Sequence, residues 1–297
     1  MRFGLLGTGY WAEFTQGAAL AAHPRAELAG VWGRDPVKAA ALSARLDTDA
    51  YQDVDDLLAE VDAVAIALPP DVQAPLAVRA AKAGKHLLLD KPLALDPAEA
   101  DAVVEAAARS GVASVVFFTH RFVPEAAAAL AQARETGGWM AASVAFLGSI
   151  YHEGSPYLES AWRREHGGLW DVGPHALARV LPVLGPVREV VAVAGARSTT
   201  HVLVRHEAGA VSDLTLTLDA PLAAASVRTV LYGEAGVVEL PGGADAVAAF
   251  ATAVDELIEQ AGRDEPDHPC DAAFAAQIVH ILAAAQKSLD TGTAVVI

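Results

Sequence analysis

The sequence predicts an α/β protein whose first part is a doubly wound parallel sheet and whose second part carries a large, mostly antiparallel sheet. Three observations carry this. Short apolar runs alternate with helix-like segments through about residue 120. A glycine turn, "GLLGTGYWA", follows the first run at once. After Thr119 the pattern changes to period-two runs joined by short turns. The expected domains are therefore 1–120 and 121–297, with the last segment a candidate to pack back on the first domain.

The elements follow in order. Arg2 to Leu6 reads as a strand, and the glycine turn leads into a helix through about Ala22. Glu27 to Trp32 is a second strand. "DPVKAAALSARL" is a helix, with Asp35 able to accept from the first free amides and Pro36 pre-set for the first turn. Asp62 to Leu68 is apolar without alternation, as a strand buried on both faces requires. "PPDVQAPLAVRAAKAG" gives a helix ending at Gly84, and "HLLL" the next strand. "DPAEADAVVEAAARSG" is a helix ending at Gly111, and "VASVVFF" closes the series. Strands alternating with helices imply βαβ units and a parallel sheet covered on both faces. Beyond it, one helix is expected in Pro124 to Glu135. The strands "MAASVAFL", "VREVVAVAGA", "HVLVRHE", "AVSDLTLTL", "ASVRTVLYG" and "GVVEL" follow, for which antiparallel pairing is favoured. Helices interrupt them at about Pro174 to Leu184 and return near the C-terminus.

The chain has 297 residues, of which 53% are hydrophobic, enough for a sizeable core. Acidic residues number 37 against 21 basic, a formal charge of −16 that argues against a nucleic-acid partner. An anionic cofactor needs only a locally positive pocket. The single cysteine, Cys270, forms no internal disulfide, which fits a reducing compartment. No apolar run reaches the roughly 18 residues of a membrane span, and no signal peptide is read at the N-terminus. A cytoplasmic protein with no membrane partner is expected. The histidines show no metal-ligand spacing, so no metal site is expected.

Four stretches carry chemistry. In "GLLGTGYWA", Gly7 permits the tight turn, Gly9 admits a pyrophosphate to the backbone, and Ala12 lets the helix pack close. The helix start then faces the phosphates. The second strand ends "GVWGRD", where a NAD site normally has an acid for the ribose hydroxyls. Here Gly33 holds that place and Arg34 follows. NADP is therefore the preferred cofactor, with NAD the alternative. The competing explanation makes Arg34 a surface charge and Asp35 only a cap. In "AGKHLLLDKPLALD", Lys91 leaves the C-terminal end of a strand, where doubly wound sheets bind ligands. It can there hydrogen-bond a substrate oxygen and stabilise developing alkoxide charge. In "GGLWDVGPHALARVL", Asp171 and His175 stand four apart near a helix start, as a carboxylate supporting an imidazole would. For an isolated pair, a helix cap and a satisfied histidine is the favoured explanation.

Together "GTGYWA", "AGKHLLLDKPLA" and "GGLWDVGPHAL" resemble the Gfo/Idh/MocA family, the glucose–fructose oxidoreductase and inositol dehydrogenase group. Val61 to Leu95 is the most specific part of the likeness. The resemblance implies a Rossmann domain followed by an α/β domain with a large, mostly antiparallel open sheet. It implies hydride transfer between NAD(P) and a sugar, polyol, deoxysugar or cyclic diol. By the same resemblance His175 is the general acid/base, Asp171 orients it, and Lys91 contacts the substrate oxygen and nicotinamide ribose. Arg121 in "THRF", Trp162 and Arg163 are expected to contact substrate. The expected cofactor-binding set is Gly7, Thr8, Gly9, Tyr10, Trp11, Gly33, Arg34, Leu68, Pro69, Asp90 and Lys91. Asp90 replaces the family's usual Glu, Gln73 stands where His is frequent, and Ala178 where an Asp or His often follows, which puts a typical polyol in doubt. A homodimer or homotetramer is implied by analogy. The alternatives are a non-catalytic dinucleotide sensor on the same fold and a methyltransferase; "DKPLA" has no place in the second.

Overall fold

A computed structural model describes residues 1–297 and resolves them into two units. Unit 1 comprises Met1–Phe122 and Asp245–Ala276; unit 2 comprises Val123–Ala244 and Gln277–Ile297.

Unit 1 holds six parallel strands: β1 (Arg2–Leu6), β2 (Glu27–Trp32), β3 (Asp49–Tyr51), β4 (Ala63–Ile66), β5 (His86–Asp90) and β6 (Ser114–Phe117). Their order is β3-β2-β1-β4-β5-β6. The winding reverses between β1 and β4, and the crevice beyond those strand ends is where such sheets take ligands. Every residue of β4 and β6 is buried, which explains why Ser114 is their one polar residue. The first helix opens as a π-helical stretch, Ala12–Gly17, before α1 (Ala18–Ala22). Ala12 is fully buried, as its expected packing role requires. Gly17 is also tightly packed: a Cβ there would lie 2.7 Å from both Ala12 O and Leu46 Cδ1 and 3.2 Å from Leu5 Cδ2 of β1.

The remaining helices of unit 1 follow their end signals. In α2 (Pro36–Leu46), Asp35 Oδ1 accepts from Val37 N at 3.0 Å and Lys38 N at 3.2 Å. Such a cap stabilises by about 1 kcal/mol. Absent from the sequence-based expectations are β3, whose three residues cannot display a period, and the short helix α3 (Val54–Glu60), which Asp53 caps by accepting from Asp55 N. Then come α4 (Pro70–Lys82) and α5 (Pro97–Ser110), the latter ended by Gly111 in the left-handed region at φ 64°. The chain returns through a helix at Ala246–Ala261, whose Phe250 meets Phe117 edge-on at 5.0 Å.

Unit 2 begins with α6 (Pro124–Thr136) and is built on a seven-stranded sheet. Its strands are β7 (Trp139–Leu147), β8 (Val187–Ala194), β9 (Thr200–His206), β10 (Val211–Thr217), β11 (Ser226–Gly233), β12 (Gly236–Leu240) and β13 (Val295–Val296). The order is β12-β11-β7-β10-β9-β8-β13. The sheet is mostly antiparallel, but β7 and β10 pair in parallel, Val144 opposite Leu214. That pairing joins strands far apart in the chain, beyond the reach of local alternation. Burial alternates strictly along β9. One face is buried and the other is open, leaving Val193 and Leu203 exposed beside charged residues.

The helices α7 (Ala161–Asp171) and α8 (Gly173–Leu184) belong to this unit. α8 is buried almost all round and includes Arg179 at 3% exposure. Arg179 donates to Pro241 O at 2.7 Å, while its Nε and a second terminal nitrogen have no partner. Burial lowers its pKa to about 10, still well above neutral, so it stays charged. Cys270 is buried, its thiol pushed up to about 12, and carries no nucleophilic chemistry. No helix is long and apolar enough to cross a membrane, and no cluster of His, Cys, Asp and Glu could hold a metal ion.

His206 makes the fold sensitive to acid. It is 1% exposed, with Nδ1 2.8 Å from Gly185 O and Nε2 3.0 Å from Ser212 Oγ. Gly185 O can only accept, so Nδ1 carries the proton and Nε2 accepts from Ser212 in the neutral ring. Burial lowers its pKa below the ordinary value of 6.5. Its stabilising contribution is full above that ordinary value and is lost as pH falls below it, because the unfolded state then binds the proton first. Urea unfolding at pH 7.5 and 5.5 is expected to show the drop, and His206→Gln to reduce the difference between the two pH values.

Candidate active site

The turn after β1 is built around glycines for separable reasons. Gly7 N donates to Trp32 O at 2.8 Å, which ties the ends of β1 and β2. Gly7 has φ 137°, and a Cβ there would lie 2.4 Å from Ala67 O. Both its conformation and its neighbour exclude a side chain. A Cβ at Gly9 would meet nothing within 4 Å. That open backbone lies at the start of a helix, whose first amides lack intrahelical acceptors. Open backbone beside donor amides fits a dinucleotide's diphosphate. Half-exposed Thr8 lies between the two glycines and faces Gly33. Arg34 is exposed just beyond. The rings of Tyr10 and Phe14 are exposed and 4.7 Å apart, while Trp11 turns inward toward Phe117, with its indole nitrogen buried and unpartnered. Leu68 and Pro69 lie just past β4, and Pro69 caps α4.

The Lys91 turn is clamped from α4. Gln73, 1% exposed, accepts from Asp90 N at 2.8 Å through Oε1. Its Nε2 donates to Asp90 O at 2.7 Å, Pro92 O at 3.2 Å and Leu93 O at 3.3 Å. Asp90 Oδ1 in turn accepts from Lys91 N at 2.8 Å. The Lys91–Pro92 peptide is cis. Gln73 thus sets the backbone from which Lys91 projects. Sequence reasoning noted its unusual identity but not this role; its signal was a polar residue on the buried stripe of an amphipathic helix. Arg121 lies in the turn Thr119–Phe122, its guanidinium over the Phe274 ring at 5.6 Å.

In unit 2 the predicted residues gather where α7 meets α8. Val172 keeps α-region backbone angles, and Val172 N and Ala176 N each bond the carbonyl four residues back. Asp171 and His175 therefore share one face. α8 has no side-chain cap, so Asp171 does not serve as one. Its Oδ2 accepts from Arg163 Nε at 3.1 Å, with the side chains 9% and 19% exposed. Arg163 also donates to Ser160 Oγ at 3.3 Å and lies between Tyr157 and Trp162, at 4.5 and 4.6 Å from the ring centres. Gly167, at φ 62° and ψ −159°, breaks α7 and permits this fold-back. His175 is nearly buried and stacks on Phe146 at 5.6 Å. Ala178 is fully buried. Sequence reasoning had named Arg163 only as a substrate contact; its partner lies eight residues on, across the break at Gly167.

Gln73→Leu removes every bond of the clamp while keeping the volume. It is expected to lower the unfolding free energy by about 3 kcal/mol in urea titration. Arg163→Met takes the guanidinium away from the largely buried Asp171 carboxylate, at a cost of about 3 kcal/mol. Most of that loss is expected back in Arg163→Met/Asp171→Asn, measured the same way.

Comparison with known proteins bears on both units. Residues 1–118 match the model of an oxidoreductase family with an NAD-binding Rossmann fold, Gfo/Idh/MocA. The UDP-N-acetylglucosamine 3-dehydrogenase of Acidithiobacillus ferrooxidans is 41% identical over 106 residues, 35% of this chain and 32% of that protein. This match thus spans about a third of the relative's length. A dTDP-3,4-didehydro-2,6-dideoxy-alpha-D-glucose 3-reductase of Streptomyces antibioticus is 28% identical over 93% of this chain and 85% of its own. Among solved structures, GenD2 from gentamicin A biosynthesis in complex with NAD aligns over 100% of this chain and 96% of that one, with TM-score 0.87 and 21% identity. The WlbA dehydrogenase from Bordetella pertussis, in complex with NADH and UDP-GlcNAcA, aligns over 100% and 97% at TM-score 0.83 and 21% identity. These likenesses establish the fold of both units. The N-terminal unit, with its glycine turn and its strand order, thus matches the Gfo/Idh/MocA oxidoreductase family over residues 1–118.

Proposed function

We propose that the protein is an NAD(P)-dependent dehydrogenase or reductase acting on a sugar-like carbinol or carbonyl carbon. The observation that carries this is the open backbone at Gly9, at the start of a helix and beside a turn that only glycine can make at Gly7. The family match and the sugar-acting names of the relatives support it. Gly7, Thr8, Gly9, Tyr10, Trp11, Leu68, Pro69, Asp90 and Lys91 would hold the dinucleotide, with Gly33 and Arg34 at its adenosine end. A nicotinamide cofactor bound there would supply the acceptor or donor of the hydride.

The chain's own residues handle the proton and the charge. His175 removes the proton of the reacting hydroxyl in oxidation and returns it in reduction. Asp171, held by Arg163, lies on the same helical face and fixes the imidazole's orientation. Lys91 donates to the substrate oxygen and stabilises charge developing there. Arg121, Trp162 and Arg163 are the remaining substrate contacts of this proposal. The substrate is a sugar, deoxysugar, polyol or cyclic diol, and nucleotide-linked sugars head the screen because two relatives are named for them.

At Gly33 no carboxylate repels a 2′-phosphate, and Arg34 stands exposed beside it, so NADP is the preferred cofactor. The single buried cysteine fits a cytoplasmic setting. The open face of the unit 2 sheet, with Val193 and Leu203 exposed, suits a homodimer or homotetramer.

Calorimetry at fixed salt is expected to show NADPH binding at least tenfold tighter than NADH, and the reverse order would refute NADP preference. Once a substrate is found, Lys91→Ala and His175→Ala are each expected to lower kcat/KM by at least a hundredfold. Near wild-type kcat/KM in either folded variant would remove that residue from the mechanism.

A further inference from the structure

The end of β2 holds a second observation about cofactor choice. Gly33 is not among the glycines with positive φ. Its backbone is one that any residue could adopt, so conformation does not explain the glycine. Space does. A Cβ at Gly33 would lie 2.5 Å from Thr8 Cγ2 and 3.4 Å from Thr8 Oγ1. The side chain of Thr8 fills the place where the Cβ of an acid at this position would sit.

The backbones cannot readily part, so relief has to come from the Thr8 side chain. The bond from Gly7 N to Trp32 O, 2.8 Å long, holds the residue before Thr8 to the residue before Gly33. Rotating Thr8 offers three staggered positions. A one-third turn in one direction replaces the methyl by the hydroxyl, and only the turn in the other direction presents hydrogen to a new Cβ. An acidic side chain at 33 would therefore cost either overpacking or the confinement of Thr8 to one rotamer.

We infer that Thr8 and Gly33 are a coupled specificity pair: the Thr8 side chain, methyl foremost, bars a carboxylate from the ribose-reading position. Arg34, exposed next to Gly33, then has no carboxylate at position 33 beside it. This inference rests on the NADP reading for its direction, but the coupling itself does not. It follows that exchanging cofactor preference takes two substitutions. Gly33→Asp alone introduces repulsion of a 2′-phosphate without a properly placed ribose acceptor. Thr8→Ala removes both atoms that obstruct it, leaving Thr8 Cβ, 3.6 Å away, at ordinary contact.

The test is a double-mutant cycle on the full chain, read by thermal unfolding without nucleotide and by calorimetry with NADPH and NADH. Gly33→Asp is expected to lower Tm by about 5 °C. The same change in the Thr8→Ala background is expected to lower it by less than about 2 °C, a non-additive result. Both acid variants are expected to bind NADPH at least tenfold more weakly. NADH binding should stay within threefold of wild type in Gly33→Asp and tighten about tenfold in the double variant. Additive Tm shifts, or a Gly33→Asp protein that binds NADH tightly at unchanged Tm, would overturn the pair. A wild-type protein that prefers NADH would overturn the NADP reading instead, and the unliganded Tm cycle would still decide the coupling.

Discussion

Three strand ends converge on one residue that has no side chain. Gly7 closes β1, donates to the end of β2 and passes so close to the chain after β4 that a Cβ would collide with Ala67 O. The crevice at the reversal of the sheet exists because these backbones can come this near. A larger residue would have to part the strands, and the start of the first helix would shift with them. The matched geometry of Thr8 and Gly33 is a consequence of the same close approach.

Elsewhere, polar groups placed in apolar surroundings do the positioning. Gln73 uses both ends of its amide on one turn, so that turn has a single low-energy path. Arg163 is fixed by two aromatic faces and a serine, which lets it hold Asp171 in one direction. A buried amide or ion pair adds little net stability, but it is costly to leave unmatched. That asymmetry is what makes these groups good rulers. Arg179 is the opposite case, a buried guanidinium with one carbonyl partner and two unmatched nitrogens, and nothing in the structure explains it.

The sequence showed most of the architecture, because strong local signals agreed with the fold. Asp35, Asp96 and Gly111 mark helix ends with side chains and angles that act within a few residues. The apolar runs of β4 and β6 announced strands buried on both faces. What escaped was non-local or too short. The parallel contact of β7 with β10 depends on strands some seventy residues apart, as in Val144 and Leu214. The strand Asp49–Tyr51 is three residues long and has no period to read. Around the candidate site the residue types were legible, but not their partners. The pairing of Arg163 with Asp171 requires the break at Gly167, and the clash of Thr8 with an imagined Cβ at Gly33 requires coordinates.

Cys270 has a practical consequence. It is the chain's one thiol, sits out of solvent and holds its proton to about pH 12. Maleimide and iodoacetamide reagents need an accessible thiolate, so the native chain offers them almost nothing at neutral pH. A cysteine introduced on an exposed position of either unit would then be the sole site of attachment. Fluorophores or spin labels could report on each unit in a background where every other residue is native.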